Sequence, residues 1–254
     1  MLPTRDRATL LTYVSLLLLT AAAWVVTLRS PMGGDDMAGM GMVMTPAVGD
    51  AFAYVGVWAA MMAAMMLPSA MPMIGLYAAT QRNSATAAAQ TVAVAGFTLM
   101  YLALWAATGL PIYFGSLALM ALAPGALAYV TAGVLVMAGV FQFSPLKQVC
   151  LRHCRSPLGF LLGHWRAGWR GGLALGWAHA RYCLGCCWAL MLVLVVTGAM
   201  GVTWVLLIAC VVAAEKLLRG GEWFARATGV ALALLGVAVA IHPRLATVLR
   251  ASWM

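Results

Sequence analysis

Charged residues are the scarcest class in this sequence of 254 residues, since only 8% of them are Asp, Glu, Lys or Arg. Six of these are acidic and fifteen are basic. Hydrophobic residues make up 65% of the chain, and the mean hydropathy is +0.97. A water-soluble domain of this length could not carry that composition without precipitating. The scarcity of charge therefore excludes a soluble globular protein and predicts an all-α, polytopic transmembrane helix bundle.

Nucleotide-binding and catalytic motifs are also missing. The chain has no internal repeat, Walker or dinucleotide fingerprint, His-Glu-x-x-His pair or Ser/His/Asp arrangement. We therefore predict no nucleotide cofactor and no catalytic residues, and a non-enzymatic role is favoured over an enzymatic one. The net charge of +9 does not indicate nucleic acid as a partner, because the basic residues lie in short loops between apolar runs. The predicted surroundings are a lipid bilayer.

Apolar runs predict six or seven membrane spans within a single integral domain, residues 1–254. The spans lie at about residues 8–28, 51–79, 86–108, 125–143, 172–200, 202–218 and 224–241. The positive-inside rule places the amino terminus and the loops at 81–85, 144–171 and 219–224 in the cytoplasm. Ala21 to Ala23 offer a signal-peptidase site, but the first run is long enough to span and favours an uncleaved helix. The predicted location is the bacterial inner membrane.

The second span contains a run, residues 58–73, with six methionines and two prolines. Residues four apart share a helix face, so four of the methionines form two thioether ladders. These four are Met61, Met62, Met65 and Met66. Pro68 and Pro72 cannot donate to the carbonyls four residues earlier, which predicts a bend or a loosened turn. The ladders are candidate soft-metal ligands, and simple core packing is the alternative.

Residues 29–50 form a predicted external loop that is rich in glycine, methionine and aspartate. Glycine makes such a loop pliable enough to wrap several weak ligands around one ion. Thioethers prefer soft Cu(I), so the composition predicts capture of copper or silver, with a plain linker as the alternative. The candidate ligands are Asp35, Asp36, Met37, Met40, Met42 and Met44.

The loop at 144–171 is strongly basic and lacks acidic residues. It contains Cys150, His153 and Cys154, which could face one ion if the segment is helical. Nearby guanidinium groups favour the thiolate form that binds metal. The alternative is that the arginines bind lipid phosphates and the cysteines bind nothing.

The fifth span carries the sharpest pattern, a stripe of soft ligands spaced by three or four residues. Its members are His179, Cys183, Cys186, Cys187 and Met191. Imidazole, thiol and thioether are ligands that Cu(I) accepts, whereas packing by small cysteines is the alternative. Arg181, a charge inside an apolar span, predicts a cavity or an ionic partner, and Glu215 is a candidate for that partner. The pair Glu215 and Lys216 also fits an ordinary interfacial charge pair.

Several separated blocks of the chain, from about residue 51 to 218, resemble a known family. They are Trp58 with Met61-Met62, Ala64 to Ser69 and Pro72-Met73, Cys150-Leu151 with Cys154 to Pro157, Tyr182 to Trp188, and Glu215-Lys216. The resemblance is to the bacterial family catalogued as domain of unknown function 2182 and described as predicted metal-binding integral membrane proteins. It implies an integral membrane protein that binds metal and supplies no reaction. The loop at 32–44 lies outside these blocks.

The predicted function is the handling of Cu(I) or a similar soft metal, by transfer, transport or delivery to a metallochaperone or cuproenzyme. The alternatives are a membrane thiol-disulfide oxidoreductase and a structural membrane subunit. If the second and fifth spans run in opposite directions, Met62 and Met65 lie near the depth of Cys186 and Cys187. The sequence therefore also predicts a central sulfur site shared by these two spans.

Overall fold

The computed structural model describes residues 4–29, 48–81, 86–166, 168–198 and 202–251. The regular elements in these ranges are helices, without a strand, so the all-α prediction is confirmed for this part of the chain. The helices are α1 (Thr4–Arg29), α2 (Val48–Thr80), α3 (Ala87–Ala107), α4 (Gly109–Met120), α5 (Pro124–Phe141), α6 (Pro145–Arg155), α7 (Pro157–His164), α8 (Gly168–Gly198), α9 (Val202–Leu217), α10 (Gly221–Ile241) and α11 (Arg244–Ala251).

Five helical stretches in the described ranges are long and apolar enough to cross a membrane. They are Leu10–Arg29, Gly49–Thr80, Ala87–Met120, Gly168–Thr197 and Gly221–Ile241. A sixth possible span is the pair Gly125–Phe141 and Pro145–Arg155, which bends by 64°. The polytopic bundle predicted from the sequence agrees with these five or six stretches. Helix α9, predicted as a span, has 16 residues and is about 24 Å long, which is shorter than a typical hydrocarbon core.

The predicted basic loop at 144–171 is largely helical. Ser144 caps α6, since its side chain accepts a hydrogen bond from Lys147 N, and Pro145 occupies the first turn. Pro157 likewise occupies the first turn of α7, so the two helices meet at a break at Ser156. The segment at 144–171 is predicted as a loop because it is rich in charge. The two Ser-Pro pairs are the signal for helices, since they are typical helix starts. As a result, the cysteines of this segment lie on a helix that packs against α8.

Helix α2 is continuous through Pro68 and Pro72. Between them, the Ser69 hydroxyl donates to Met66 O at 2.9 Å. Helix α3 runs antiparallel to α2, because Gln90 Nε2 donates to Ala78 O at one end of the pair. At the other end, Trp58 Nε1 donates to Trp105 O at 3.2 Å.

Helices α3 and α8 run parallel and pack at very short range. A Cβ atom at Gly172 would collide with Ala93 O, and one at Gly176 would collide with Phe97 O. Only glycine allows the two backbones to approach this closely. Since α2 is antiparallel to α3, it is also antiparallel to α8, as the final sequence prediction requires.

Candidate metal centre

Three thiols line one buried face of α8, as their spacing predicts. Cys183, Cys186 and Cys187 are each at most 1% exposed. The Cys186 thiol donates to Cys183 O at 3.1 Å, and its Sγ lies 3.2 Å from Cys187 Sγ. Successive turns of one helix therefore concentrate three soft donors in the interior.

A fourth thiol reaches this group from α6. Cys154 Sγ lies 3.9 Å from Cys186 Sγ, and it also lies beside the Cys183 thiol. We call Cys154, Cys183, Cys186 and Cys187 the thiol cluster. Two helices that are distant in sequence build it, which the sequence pattern could not reveal.

The structure places Cys150, His153 and Cys154 against different neighbours. Cys150 packs against α8 at Gly185, where an added Cβ would come within 2.7 Å of its Sγ. His153 stacks on Tyr182 with ring centroids 4.2 Å apart. Cys150 and Cys154 are four residues apart and share a face of α6, whereas His153 and Cys154 are successive and point about 100° apart. Cys154 joins the thiol cluster, and the binding of one ion by all three residues stays a prediction.

A buried lysine contacts the thiol cluster, and sequence reasoning missed its role. Lys216 Nζ donates to Cys183 Sγ at 3.0 Å and to Ser69 Oγ at 3.2 Å. The Tyr101 hydroxyl hydrogen-bonds with the same sulfur at 3.1 Å. A lysine that is only 6% exposed among apolar helices needs such partners, and its place in an apolar run was the available signal.

Glu215 pairs with Lys147 of α6 and not with Arg181. Lys147 Nζ donates to Glu215 Oε2 at 2.6 Å, and both side chains are at most 1% exposed. Arg181 lies on the exposed side of α8, since it is about 200° around the helix from Cys183. Glu215 is therefore not the ionic partner of Arg181, and the cavity stays a prediction.

His179 lies one turn before Cys183 and is 3% exposed. Its ring packs among Phe97, Tyr101 and Phe160, at centroid distances from 5.5 to 5.9 Å. Within the described residues its Nδ1 has no hydrogen-bond partner. A buried, unpaired ring nitrogen one helical turn from Cys183 is a candidate donor for a soft ion.

The four candidate methionines of α2 are buried, each at most 2% exposed, and they are Met61, Met62, Met65 and Met66. The structure links α2 to α8 through Lys216, which bridges Ser69 and Cys183. Met65 and Met66 lie one turn before Ser69 in α2, and Cys186 and Cys187 lie one turn after Cys183 in α8. Because the two helices are antiparallel, these residues are at nearly the same depth. This register agrees with the predicted depth, and the shared sulfur site itself stays a prediction.

The thiol cluster is not a preformed coordination sphere. In the described part of the chain, no group of three or more His, Cys, Asp or Glu side chains is arranged to hold a metal ion. Two sulfurs that each lie about 2.3 Å from one metal are about 4 Å apart in trigonal geometry. The pair Cys154 and Cys186, at 3.9 Å, meets this spacing, whereas Cys186 and Cys187, at 3.2 Å, do not. Metal binding would therefore require small side-chain rotations.

Residues 30–47, which make up most of the predicted external loop, lie outside the described residues. This applies to Asp35, Asp36, Met37, Met40, Met42 and Met44. Their role as ligands stays a prediction.

Comparison with known proteins gives one family. The family model described as PpoB2, copper chaperone, matches residues 55–239, which include the thiol cluster, Lys216 and the α2 methionines. No curated protein and no solved structure matches the chain significantly. The metal-binding resemblance inferred from the sequence is thereby confirmed at the level of a copper-related family.

Proposed function

We propose, given that this chain belongs to the PpoB2 copper chaperone family, that it is a membrane copper chaperone whose thiol cluster holds Cu(I). The observation that carries the proposal is the meeting of α6 and α8 thiols at 3.9 Å beside a buried ammonium group. In this proposal copper is the cargo. The chain would pass it to a metallochaperone or a cuproenzyme.

The chemistry of the cluster favours Cu(I) over a hard ion. Thiolates and thioethers are soft ligands, whereas magnesium or calcium would require oxygen donors. Lys216 Nζ, 3.0 Å from Cys183 Sγ, supplies a positive charge that stabilises thiolate in a dry interior. Two thiolates, Cu(I) and one ammonium group carry no net charge, which limits the cost of burying the loaded site.

The remaining predicted ligands extend this proposal along the membrane normal. The α2 methionines would support the ion at the depth of the cluster, and the Met/Asp loop at 29–50 would capture it on the outer side. The proposed location is the bacterial inner membrane with a cytoplasmic amino terminus. This orientation follows from the basic residues of α6, Lys147, Arg152 and Arg155, and from Arg166 and Arg170 after α7, under the positive-inside rule.

Anaerobic titration of the purified, reduced protein with Cu(I) tests the proposed site. We expect stoichiometric copper in the wild-type protein and loss of most of it in Cys186→Ser, because Cys186 contacts two other thiols of the cluster. Cys210→Ser is the matched control, since Cys210 is an exposed cysteine of α9 and should leave copper binding unchanged. Equal copper content in all three proteins would contradict the assignment.

A thiol-disulfide oxidoreductase is the second candidate function. The 3.9 Å separation of Cys154 and Cys186 Sγ favours it, because a small rotation would allow a disulfide to form. Counting free thiols after equilibration in buffers of graded redox potential separates the two functions. A reversible loss of two thiols without copper binding would support the oxidoreductase, and a protein that shows neither property would be a structural subunit.

The external loop provides a separate test of copper capture. Replacing Met37, Met40, Met42 and Met44 together by Leu should lower copper uptake by cells at limiting copper several-fold, because leucine cannot coordinate the ion. The purified variant should still bind Cu(I) at the thiol cluster. Met120→Leu, a change at an exposed methionine of α4, is the control. Unchanged uptake in the four-site variant would rule out a capture role for the loop.

A further inference from the structure

Cys154 differs from the other thiols of the cluster in its element and its exposure. Cys183, Cys186 and Cys187 are buried in the long helix α8. Cys154 belongs to the 11-residue helix α6 and is partly exposed. Since its Sγ is 3.9 Å from Cys186 Sγ, it connects the buried donors with the surface.

Two histidines form a layer with aromatic rings next to Cys154. His153 stacks on Tyr182 at 4.2 Å, and His164 stacks on Phe160 at 4.5 Å. The Phe160 and Tyr182 rings are 5.6 Å apart, so the four rings are contiguous. Both histidines are partly exposed, and Tyr182, on which His153 stacks, directly precedes Cys183, so the ring layer lies at the surface beside the helices that carry the thiol cluster.

Hydrogen bonds fix the same tautomer in both histidines. His153 Nδ1 lies 2.8 Å from Val149 O, and His164 Nδ1 lies 3.1 Å from Phe160 O. A carbonyl oxygen only accepts, so each Nδ1 carries a proton and donates it. The Nε2 atom of each neutral ring then keeps its lone pair. An imidazole whose Nδ1–H is held by a backbone carbonyl is the usual form of a metal-ligating histidine.

We propose that Cys154, His153 and His164 form the exit path by which Cu(I) leaves the buried thiols, an inference that rests on the proposed function. In the loaded cluster copper is bound by Cys154 Sγ and an α8 thiolate. Nε2 of His153 binds copper as the bond to the α8 thiolate breaks, and Nε2 of His164 binds it as the bond to Cys154 Sγ breaks. Two acceptor thiols then replace the imidazoles, and their two protons pass to the two cluster thiolates left behind. Copper remains Cu(I) throughout, so no oxidant or reductant is needed.

The test measures the transfer of Cu(I) from the loaded full-length protein to glutathione, an acceptor thiol of defined structure, without oxygen. Cys154→Ser removes a ligand of the proposed site and should lose copper like Cys186→Ser, so the transfer rate is measured on a histidine variant. The double variant His153→Phe, His164→Phe keeps the stacked rings but lacks Nε2. It should bind the same copper and release it about tenfold more slowly, the scale of effect seen when a supporting group is lost at a metal site.

Two changes elsewhere in the chain serve as controls. Cys210→Ser removes an exposed thiol of α9, and His242→Phe removes an exposed imidazole beyond α10. Both should transfer copper at the wild-type rate. If either control slows the transfer as much as the double histidine variant does, the effect is not specific to the path and the inference is wrong.

The remaining outcomes separate the exit path from the proposed function. A wild-type transfer rate in the double histidine variant also overturns the path. A wild-type protein that binds no Cu(I) overturns the proposed function itself, and the path with it.

Discussion

Lys147→Met should lower the free energy of unfolding by about 3–5 kcal/mol, the usual cost of removing one partner of a buried ion pair. Lys147 Nζ and Glu215 Oε2 are 2.6 Å apart, and neither side chain is more than 1% exposed. Without the ammonium group, Glu215 would have no cation within reach of that oxygen in an apolar setting. The measurement is the thermal or denaturant unfolding of the purified protein in detergent.

Two further variants identify the cause of that loss. Lys147→Met combined with Glu215→Leu should recover most of the lost stability, because an apolar pair leaves no buried charge. Arg152→Gln breaks the exposed pair of Arg152 and Glu222, whose side chains are 69% and 39% exposed. It should change stability by less than about 1 kcal/mol. A double variant as unstable as Lys147→Met would show that packing, not charge, is responsible.

Lys216→Leu should weaken Cu(I) binding by about ten- to a hundredfold, the range typical of groups that support metal ligands. Lys216 Nζ is 3.0 Å from Cys183 Sγ, so its removal takes away the charge that stabilises the thiolate. Leucine is apolar, adds no charge and cannot coordinate the ion. The affinity is measured by competition with a chelator of known Cu(I) affinity.

Tyr101→Phe is the matched control for Lys216→Leu. It removes a neutral hydrogen bond of 3.1 Å to the same sulfur and leaves the charge in place. Its effect should correspond to about 0.5–1.5 kcal/mol, which is no more than about a tenfold change in affinity. If Lys216→Leu binds copper as tightly as the wild type, the lysine acts only in packing.

The sequence predicted what depends on one helix and missed what depends on packing between helices. The spacing of Cys183, Cys186 and Cys187 is a local property of α8, so periodicity placed them on one face. The approach of Cys154 to Cys186 depends on how α6 packs against α8, which no local pattern specifies. The match to a copper chaperone family indicated copper as the metal, which periodicity alone could only suggest.

Glu215 and Lys216 show why adjacent charges are difficult to interpret from sequence. Side by side they resemble an interfacial pair, but consecutive helical side chains point about 100° apart. Glu215 therefore faces Lys147, and Lys216 faces Cys183 and Ser69. Their real partners are far away in the chain and appear only once the bundle is assembled.

The peptide bond between Glu215 and Lys216 has a mechanical consequence. A rotation of α9 about its own axis would move the carboxylate and the ammonium group together. The distance from Glu215 to Lys147 of α6 and the distance from Lys216 Nζ to Cys183 Sγ therefore change with the same rotation angle. One rotation of α9 therefore controls two properties of the bundle. These are the attachment of α6, which carries Cys154, and the electrostatic potential at the cluster sulfurs.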